Sequence, residues 1–477
     1  MALRRPAAGA APLQQQYGTL YISSLPPDLL LLAFRRVPLA ERHSALALVC
    51  RQWAELVHSP ALLDSLDMPI EIDSGRPLPR MRLLADWLVR RAAGHVRRLH
   101  VEIKTFVEND DENSYLAAAG QRREAAAALI AALPQLAGGL RELSLDTSHL
   151  PLPPLTATWL APLAGLTSLA LISDSGILGP VETLRCLTAL QRLRLDGNVS
   201  MPAKLPPAVT SFWLRSMAAY MPGQEAAPSE LGSLQELTLV ALWDRTNNHA
   251  FLARLHSSLT ALSLTLVAKA PACLAQLSQL RVLASDDIGG WLKEADKQIL
   301  EQALPRLQHL TAVHILSPSL PGSLAAISSL QHLDTVCWQD ATAAAAPLPG
   351  GPWLAHLRRL ALSSYFLSDA ASLATLSGAS QLERLGVRDT YKVLQPQGRR
   401  GRQEPVPLTA EVQRITAWAE RHPSLQLLAL ERVPLDALHV GKSPRPKRAA
   451  QLRPGLLLHE VEDVFLAACG LVRQDPF

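Results

Sequence analysis

The sequence has few aromatic residues, few cysteines and no long uninterrupted apolar run. Aromatic residues make up 5% of the 477 residues, and the five cysteines are scattered without a CxxC pair. An odd number of widely spaced cysteines argues against a disulfide framework or a zinc site, and it favours reduced thiols in the cytoplasm or nucleus. No apolar run approaches the roughly 18–20 residues that a membrane-spanning helix needs, so we expect no membrane partner.

An excess of charge of one sign is also missing, and so are the common catalytic motifs. The 46 Lys and Arg residues nearly cancel the 42 Asp and Glu residues, which argues against nucleic acid as a partner. The sequence contains no phosphate-binding loop, no GxSxG and no HExxH, so we expect no enzymatic activity and no cofactor. His309 and His332 predict exposed histidines rather than a metal site, because no further ligands accompany them.

A short leucine motif of the form LxxLxL recurs along most of the chain. Its clear copies are Leu140-Leu143-Leu145, Leu166-Leu169-Leu171, Leu190-Leu193-Leu195, Leu234-Leu237-Leu239, Leu259-Leu262-Leu264, Leu357-Leu360-Leu362 and Leu382-Leu385-Val387. Weaker copies, which bring the number to thirteen, begin at Val96, Val209, Leu280, Leu307, Leu330 and Leu425. Between Leu140 and Leu382 the copies start 19 to 27 residues apart, near the period of roughly 20–29 residues that is typical of leucine-rich repeats.

This pattern predicts an α/β solenoid. Alternation within each copy places the leucines inward and the intervening residues outward, so that stacked strands form one parallel sheet on the concave side of a horseshoe. The array resembles the leucine-rich-repeat family, in which an asparagine usually follows the strand. That asparagine is clear only at Asn198, so we expect an irregular array.

Three short helices are predicted before the array. The first is indicated by apolar residues at helical spacing, namely Leu29, Leu30, Ala33, Phe34 and Val37. A brief middle helix covers residues 39–45, and a third apolar run at helical spacing extends from Leu46 to Val57. Helices this small bury little surface by themselves, so the segment either caps the first repeat or keeps an apolar face for another protein.

The order of residues in this helical segment resembles the F-box motif. The residues that carry the resemblance are Leu25-Pro26, Phe34, Leu39, Arg42, Leu46, Val49-Cys50-Arg51, Trp53, Leu56 and Pro60. The chain is thus identified as similar to F-box proteins with C-terminal leucine-rich repeats. This resemblance implies a Skp-family linker protein as partner, and through it the cullin and RING subunits of an SCF-type ubiquitin ligase.

The resemblance also implies, position by position, which residues contact the linker. They are Leu25, Pro26, Leu29, Phe34, Leu39, Val49, Cys50 and Trp53. For Leu29 and Val49, internal packing is an alternative. The implied function is that of a non-catalytic adaptor that recognises a substrate protein for the ligase. A leucine-rich-repeat scaffold with no ubiquitin role and a ligand-dependent F-box sensor are the alternatives.

These patterns divide the chain into segments. We expect a disordered tail over 1–24, the F-box-like module over 25–63, a helical linker over 64–95, and repeats over 96–432 with insertions near 104–135 and 390–411. A basic loop is predicted over 433–455. A cap helix and tail are predicted over 456–477, because apolar residues between Leu457 and Ala468 recur at helical spacing.

Target recognition is expected on the outward residues of the concave sheet. One set comprises Arg192, Arg194, Trp213 and Arg215 with Asp196 beside them, and a second comprises Arg359, Arg384 and Arg388. Arginine next to an exposed aromatic residue is typical of a protein-interface hot spot, and it indicates an acidic or phosphorylated target. The alternative is that these charges are solvated and that Trp213 packs inward.

Overall fold

The computed structural model divides the chain into two compact units, Met1–Asp67 and Met68–Phe477. The residues that it describes are 25–37, 39–72, 77–105, 124, 126–147, 157–173, 181–197, 204–216, 232–240, 252, 255, 257–265, 272–286, 294–316, 324–339, 347–367, 370–388, 391–392, 406–407, 409–431, 449–453 and 456–461. Within these ranges no helix has both the length and the apolar character that crossing a bilayer requires.

The first unit is a set of short helices. They are α1 (Pro27–Phe34), α2 (Leu39–Ser44), α3 (Arg51–Val57) and α4 (Pro60–Leu63), with a 3-10 turn at Leu46–Leu48. Pro27 and Pro60 each open a helix, a position where the missing N–H of proline removes no hydrogen bond. The one-turn helix α4 adds to the three helices that the sequence predicts.

A small apolar core holds these helices together. Its buried members are Leu30, Phe34, Val57 and Leu62. The rings of Phe34 and Trp53 meet edge to face, with 4.9 Å between centroids and an interplanar angle of 67°. The buried Arg42 donates from Nη1 to the carbonyl oxygen of Leu62 at 3.2 Å, which ties α2 to α4. A core of this size stabilises a domain only weakly.

The second unit is built on one long sheet of sixteen strands, in which β1 to β13 follow in chain order and β16, β18 and β17 complete the series. The strands are β1 (Ser65–Ile72), β2 (Arg98–Thr105), β3 (Glu142–Asp146), β4 (Ser168–Ser173), β5 (Arg192–Gly197), β6 (Ser211–Ser216), β7 (Glu236–Val240), β8 (Ala261–Thr265), β9 (Val282–Asp286), β10 (Ala312–Leu316), β11 (Thr335–Gln339), β12 (Arg359–Ser363), β13 (Arg384–Arg388), β16 (Leu427–Glu431), β17 (Ala449–Arg453) and β18 (Leu456–Val461). A separate antiparallel pair consists of β14 (Tyr391–Lys392) and β15 (Val406–Pro407).

Each of the thirteen predicted repeats contains one strand, β2 to β13 and β16. In the repeats predicted to begin at Leu307 and Leu330 the motif lies three residues too early, because the buried strand residues are Val313 and Ile315 on β10 and Val336 and Trp338 on β11. Each of these strands runs parallel to the next. On β3 and β4, for example, Leu143 pairs in register with Leu169 and Leu145 with Leu171, and all four side chains are buried. The parallel solenoid predicted from the spacing is therefore confirmed.

Short helices connect the strands. They are α5 (Pro77–Trp87), continued by a π-helical turn at Leu88–Ala92, α6 (Ala157–Leu160), α7 (Glu294–Ala303), α8 (Leu324–Ile327), α9 (Ala370–Leu376) and α10 (Thr409–Arg421). Residues 126–132 are also helical. The 3-10 turns are Leu133–Leu136, Ala161–Leu163, Val181–Cys186, Leu274–Gln276, Leu304–Arg306, Pro352–Leu354 and Ser364–Leu367. On α10 the buried residues Val412, Ile415 and Ala419 follow helical spacing, so one face of the helix packs inward.

Carbonyl oxygens at the strand starts connect successive repeats. The carbonyl of Arg141 accepts hydrogen bonds from the N–H groups of Thr167 and Ser168 at 2.7 and 3.1 Å, and the same pattern recurs along the sheet. Threonine hydroxyls add a further bond to the preceding repeat at 3.1 to 3.3 Å, at Thr167, Thr210, Thr260 and Thr311. These contacts stack the repeats although the asparagine typical of the family is mostly missing.

The prediction of a C-terminal helix over 456–468 is wrong for residues 456–461. Leu456–Val461 is strand β18, parallel to β16, and Ala449–Arg453 within the predicted basic loop is strand β17, antiparallel to β18. A short apolar run fits a helix or a strand equally well, and here the unpaired backbone groups of β16 favour the strand. The predicted helical linker likewise contains β1 in addition to α5.

Several predicted segments lie outside the described residues. These are the tail 1–24, the insertion residues 106–123 and 393–405, the loop residues 433–448, and the C-terminal residues 462–477.

The cysteines differ in part from the expectation of reduced thiols. Cys50, Cys186 and Cys273 form no disulfide bond, whereas Cys337, buried in β11, is disulfide-bonded. Cysteines that are far apart in the sequence leave no local spacing signal, so sequence spacing had no means of indicating this bond.

Gly197, at the end of β5, is a position where a side chain should not fit. Its φ angle is 146°, and a Cβ atom there would collide with the carbonyl oxygen of Ser173 on the neighbouring strand. We predict that Gly197→Ala lowers the free energy of unfolding by about 2 kcal/mol, because the oxygen belongs to backbone that cannot move aside cheaply. Urea denaturation measures the change. Gly138→Ala is the control, since nothing lies within 4 Å of a Cβ there; equal effects of both substitutions would contradict the prediction.

Candidate functional site

Four large apolar side chains on the first unit are exposed to solvent. They are Leu29 (50% exposed), Leu32 (56%), Leu48 (81%) and Val49 (58%), and we call them the apolar helical surface. Leu29 and Leu32 are three residues apart on α1, while Leu30 and Phe34 on the other side of that helix are buried. In the described parts of the chain, Leu83 is the one other large apolar residue with comparable exposure.

The structure separates the predicted linker-binding residues into three groups. Pro26, Leu29, Val49 and Cys50 are exposed, Leu25, Leu39 and Trp53 are partly buried, and Phe34 is buried in the core. The alternative that Leu29 and Val49 serve as internal packing is therefore wrong.

The sequence analysis missed Leu32 and Leu48. Their positions in the sequence could have indicated them, because Leu32 follows Leu29 at helical spacing and Leu48 adjoins Val49.

The first predicted set on the concave sheet forms a contact cluster on β5 and β6. Arg194 pairs in register with Trp213, and Asp196 pairs with Arg215. The guanidinium carbon of Arg194 lies 4.3 Å from the centroid of the Trp213 ring, a distance at which a cation is attracted to the ring face. Phe212 and Leu214 are buried on the opposite side of β6, so the alternative that Trp213 packs inward is wrong.

Asp196 joins the two arginines of this cluster. Its side chain is buried, and it accepts a hydrogen bond from Nε of Arg215 while Nη2 of Arg194 lies 3.6 Å from its Oδ2. Burial raises the pKa of the Asp196 carboxyl, and the hydrogen bond and charge of Arg215, together with the charge of Arg194, oppose that rise. Arg192 makes a separate, half-exposed ion pair with Glu142 at 3.3 Å. We call Arg194, Trp213, Arg215 and Asp196 the arginine–tryptophan cluster.

The second predicted set lies on β12 and β13. Arg359 and Arg384 are half-buried and directly opposite each other in register, and the Cα of Arg388 pairs with that of Ser363. The next outward residues of these strands, Ala361 and Gly386, are buried. The structure therefore brings Arg359 and Arg384 together, and it keeps this set apart from the arginine–tryptophan cluster on β5 and β6.

The described histidines lie mostly apart from one another or pack on other side chains. The ring of His332 stacks on His356, with 6.4 Å between centroids, and across the described ranges no group of three or more His, Cys, Asp or Glu residues is placed to hold a metal ion. His314 on β10 is buried between Ala284 and Cys337 in register, and its Nδ1 atom has no hydrogen-bond partner in the described part of the chain. Burial lowers the pKa of His314 to about 4.

We predict that Asp196→Asn lowers the free energy of unfolding by about 2 kcal/mol. The amide cannot balance the positive charge of two guanidiniums, and Arg194 is mostly buried. Thermal and urea unfolding measure the loss. Glu142→Gln removes the same charge from an exposed pair and should change stability by less than about 0.5 kcal/mol. A loss as large for Glu142→Gln as for Asp196→Asn would contradict the role assigned to Asp196.

We predict that His314 makes folding sensitive to pH. The unfolded chain takes up a proton near pH 6.5 and the folded chain only near pH 4, so the free energy of unfolding falls as the pH drops through this window. Between pH 7 and pH 4.5, the His314→Gln variant should lose about 2 kcal/mol less of its free energy of unfolding than the wild-type chain loses. Urea titrations at both pH values test this, with the exposed His309→Gln as control. An unchanged slope for His314→Gln would show that His314 is not responsible.

Comparison with known proteins identifies the helical unit. The F-box domain model matches residues 22–65. No curated protein matches the sequence.

Three solved structures match part of the chain. They are the TLR13–ssRNA13 complex (16% identity, 78% of this chain and 55% of that one, TM-score 0.38), the mouse RP105/MD-1 complex (15%, 79% and 61%, 0.39) and an LRR protein of Leptospira interrogans (13%, 79% and 86%, 0.34). The chain thus spans less than two thirds of the length of the first two. The chain carries an F-box domain followed by a leucine-rich-repeat solenoid. The helices of the first unit form the former, and the thirteen stacked leucine strands form the latter.

Proposed function

We propose that this protein is the substrate-recognition adaptor of an SCF-type, cullin-based ubiquitin ligase. An F-box domain joined to a leucine-rich-repeat solenoid is the architecture of a protein-interaction adaptor, and F-box domains generally bind Skp-family proteins. In this proposal the F-box domain binds a Skp-family linker, which connects it to the cullin and RING subunits, and the repeats hold the target. The apolar helical surface is the observation that carries the proposal.

The exposed leucines and valine are costly unless a partner covers them. Moving each of these side chains out of water is favourable by about 1 kcal/mol or more. The four together therefore contribute several kcal/mol to an interface. Several large apolar side chains exposed on one small domain are a feature of protein-interaction sites. A segment that only capped the first repeat would gain no stability from apolar side chains that are exposed to solvent.

The buried residue Phe34 supports this interface indirectly. It packs under α1 against Trp53 and thereby fixes the helix that presents Leu29 and Leu32. Leu25, Leu39 and Trp53 contribute from partly buried positions, and Pro26 and Cys50 from exposed ones.

The adaptor contributes proximity, and bond formation takes place elsewhere in the assembly. Holding a target near the ubiquitin-loaded enzyme raises the effective concentration of its lysines. A solenoid suits this task because its strands hold one fixed register over thirteen repeats.

We place this activity in the cytoplasm or nucleus, where such ligases act. The absence of a disulfide bond at Cys50, Cys186 and Cys273 agrees with a reducing compartment, whereas the disulfide at Cys337 is unusual there.

We predict that the double substitution Leu29→Asp/Val49→Asp weakens binding to a purified Skp-family linker by about 100-fold or more. Both side chains lie at the surface, so the charges disturb the proposed interface and leave the folded core intact. Isothermal titration calorimetry with the full-length chain measures the affinity, and circular dichroism verifies the fold.

Leu83→Asp is the matched control for this experiment. Leu83 is a leucine of the second unit that is more exposed than Leu29 or Val49, and its replacement should leave linker binding unchanged. Wild-type affinity for the linker in the double variant, or no binding of the linker by the wild-type chain, would refute the proposed function.

A further inference from the structure

The disulfide bond of Cys337 requires a second cysteine. The sequence has five cysteines, and Cys50, Cys186 and Cys273 form no disulfide bond. Cys337 is disulfide-bonded, so one cysteine of the sequence is left as its partner within this chain. That cysteine is Cys469, which lies outside the described residues.

We propose that Cys469 is the partner of Cys337, and that this bond holds residues 462–477 against the concave sheet over β11 to β16. We call these residues the C-terminal cover. Reduction of the bond releases the cover and opens part of the surface that the repeats offer to a target. The inference rests on the proposed function, because that proposal places the target on the concave sheet.

Cys337 lies on the outward side of β11. Its neighbours along the strand, Val336 and Trp338, are buried among the inward residues, and alternation along a strand places Cys337 on the opposite side. In register it stands between His314 on β10 and Ala361 on β12. A disulfide bond at this sulfur atom therefore brings its partner to the concave side of the sheet.

The outward row around Cys337 is buried, although it lies on the concave side. Cys337 is 1% exposed and His314 is 8% exposed, whereas Thr238 and Ser263 in the same row on β7 and β8 are half-buried. The ring of His314 has the small side chains of Ala284 and Cys337 beside it in this row, and they are too short to enclose it. The burial of His314 therefore indicates that a further part of the chain lies over β10 and β11.

The sequence around Cys469 suits an uncharged surface. Residues 464–472 read Val-Phe-Leu-Ala-Ala-Cys-Gly-Leu-Val, without a charged side chain. The outward row from β9 to β16 is likewise made of small or uncharged residues, namely Ala284, His314, Cys337, Ala361, Gly386 and Ala429. Contact between an apolar segment and such a row removes apolar surface from water, which is favourable. An apolar cover also agrees with the Nδ1 atom of His314, which has no hydrogen-bond partner in the described part of the chain.

The chain between β18 and Cys469 is long enough for this bond. Strand β18 ends at Val461 and is separated from β11 by β16, β13 and β12, which makes four strand spacings. Four spacings of about 4.8 Å amount to about 19 Å. The eight residues from Val461 to Cys469 span up to about 26 Å when they are extended, and a disulfide joins Cα atoms that are about 5.5 Å apart. The bond therefore requires no rearrangement of the sheet.

The redox step is a thiol–disulfide exchange. When the two sulfur atoms join, the thiols lose two protons and two electrons, which glutathione disulfide takes up as it becomes two glutathione thiols. A dithiol reductant of the thioredoxin type returns two electrons and two protons, which restores both thiols and leaves the reductant as a disulfide. Disulfides in a reducing compartment are usually transient or redox-sensing. A bond that opens and closes thus accounts for a disulfide at Cys337 in the cytoplasm or nucleus.

The first measurement maps the bond. The purified full-length chain is oxidised with glutathione disulfide, digested without reductant and analysed by mass spectrometry. We expect a cross-linked pair of peptides that contains Cys337 and Cys469 and that dithiothreitol separates. A bond from Cys337 to any other cysteine, or no bond at Cys337, would reject the inference.

The second measurement tests whether the C-terminal cover lies on the sheet. Diethyl pyrocarbonate acylates accessible histidine rings, and mass spectrometry gives the rate at each position. In Cys469→Ser, which cannot form the bond, His314 should react about tenfold or more faster than in the oxidised wild-type chain, because its ring is no longer covered. Removal of residues 462–477 should have the same effect.

Two other histidines serve as controls in the same samples. His309 is exposed and should react at the same rate in all three chains. His422 is 3% exposed and lies at the end of α10, so it should stay slow in every chain that is folded. Faster reaction of His314 together with a slow His422 therefore reports the opening of the cover and not unfolding of the solenoid.

An unchanged rate at His314 in Cys469→Ser would overturn the inference. This holds even if removal of residues 462–477 accelerates the reaction, because the cover would then not depend on the bond. Linker binding, measured by calorimetry, should be equal for the oxidised and the reduced chain, since neither cysteine of the bond belongs to the F-box domain. Absence of linker binding in both states would reject the proposed function, whereas the bond map and the rate at His314 decide on the C-terminal cover.

Discussion

The stacking of parallel strands through their main-chain groups is the interaction on which the rest of the second unit depends. At each strand start one carbonyl oxygen receives two N–H groups of the following repeat, and threonine hydroxyls strengthen several of these junctions. This bonding fixes the register, and the register decides which side chains become neighbours. Arg194 meets Trp213, and Asp196 meets Arg215, only because β5 and β6 are aligned in this way. The contacts between outward side chains on these strands are thus a consequence of backbone geometry.

The regular part of this architecture was accessible from the sequence. Leucine at every second position, repeated at a suitable distance, specifies a strand that is buried on one side, and thirteen such motifs became thirteen strands. The C-terminal segment was not accessible in the same way. Leu456-Leu457-Leu458 has the composition of a helix as much as of a strand, and its conformation is set by the partner strand β16, which lies far away in the sequence.

On the candidate surfaces, too, features set by the local sequence were predicted, whereas features set by contacts between distant residues were not. Alternation along β5 and β6 was enough to bring Arg192, Arg194, Trp213 and Arg215 to one side. The role of Asp196 was not apparent, since burial of a carboxylate between two arginines depends on side-chain packing across strands. In the F-box domain, family resemblance suggested contact residues without showing which ones are uncovered. Phe34 proved to be core, and Leu32 and Leu48 proved to be exposed.

The reversed direction of β17 limits how far the solenoid can grow. A parallel array offers the same hydrogen-bond spacing at each end, and in principle a further copy of the chain could continue it. The last strand of the sheet runs the opposite way, with an irregular register between Gln451 and Arg453. A further strand in the direction of β1 to β13 would have to pair antiparallel with β17, so among the described strands the parallel series cannot be continued by a second copy of the chain through β17.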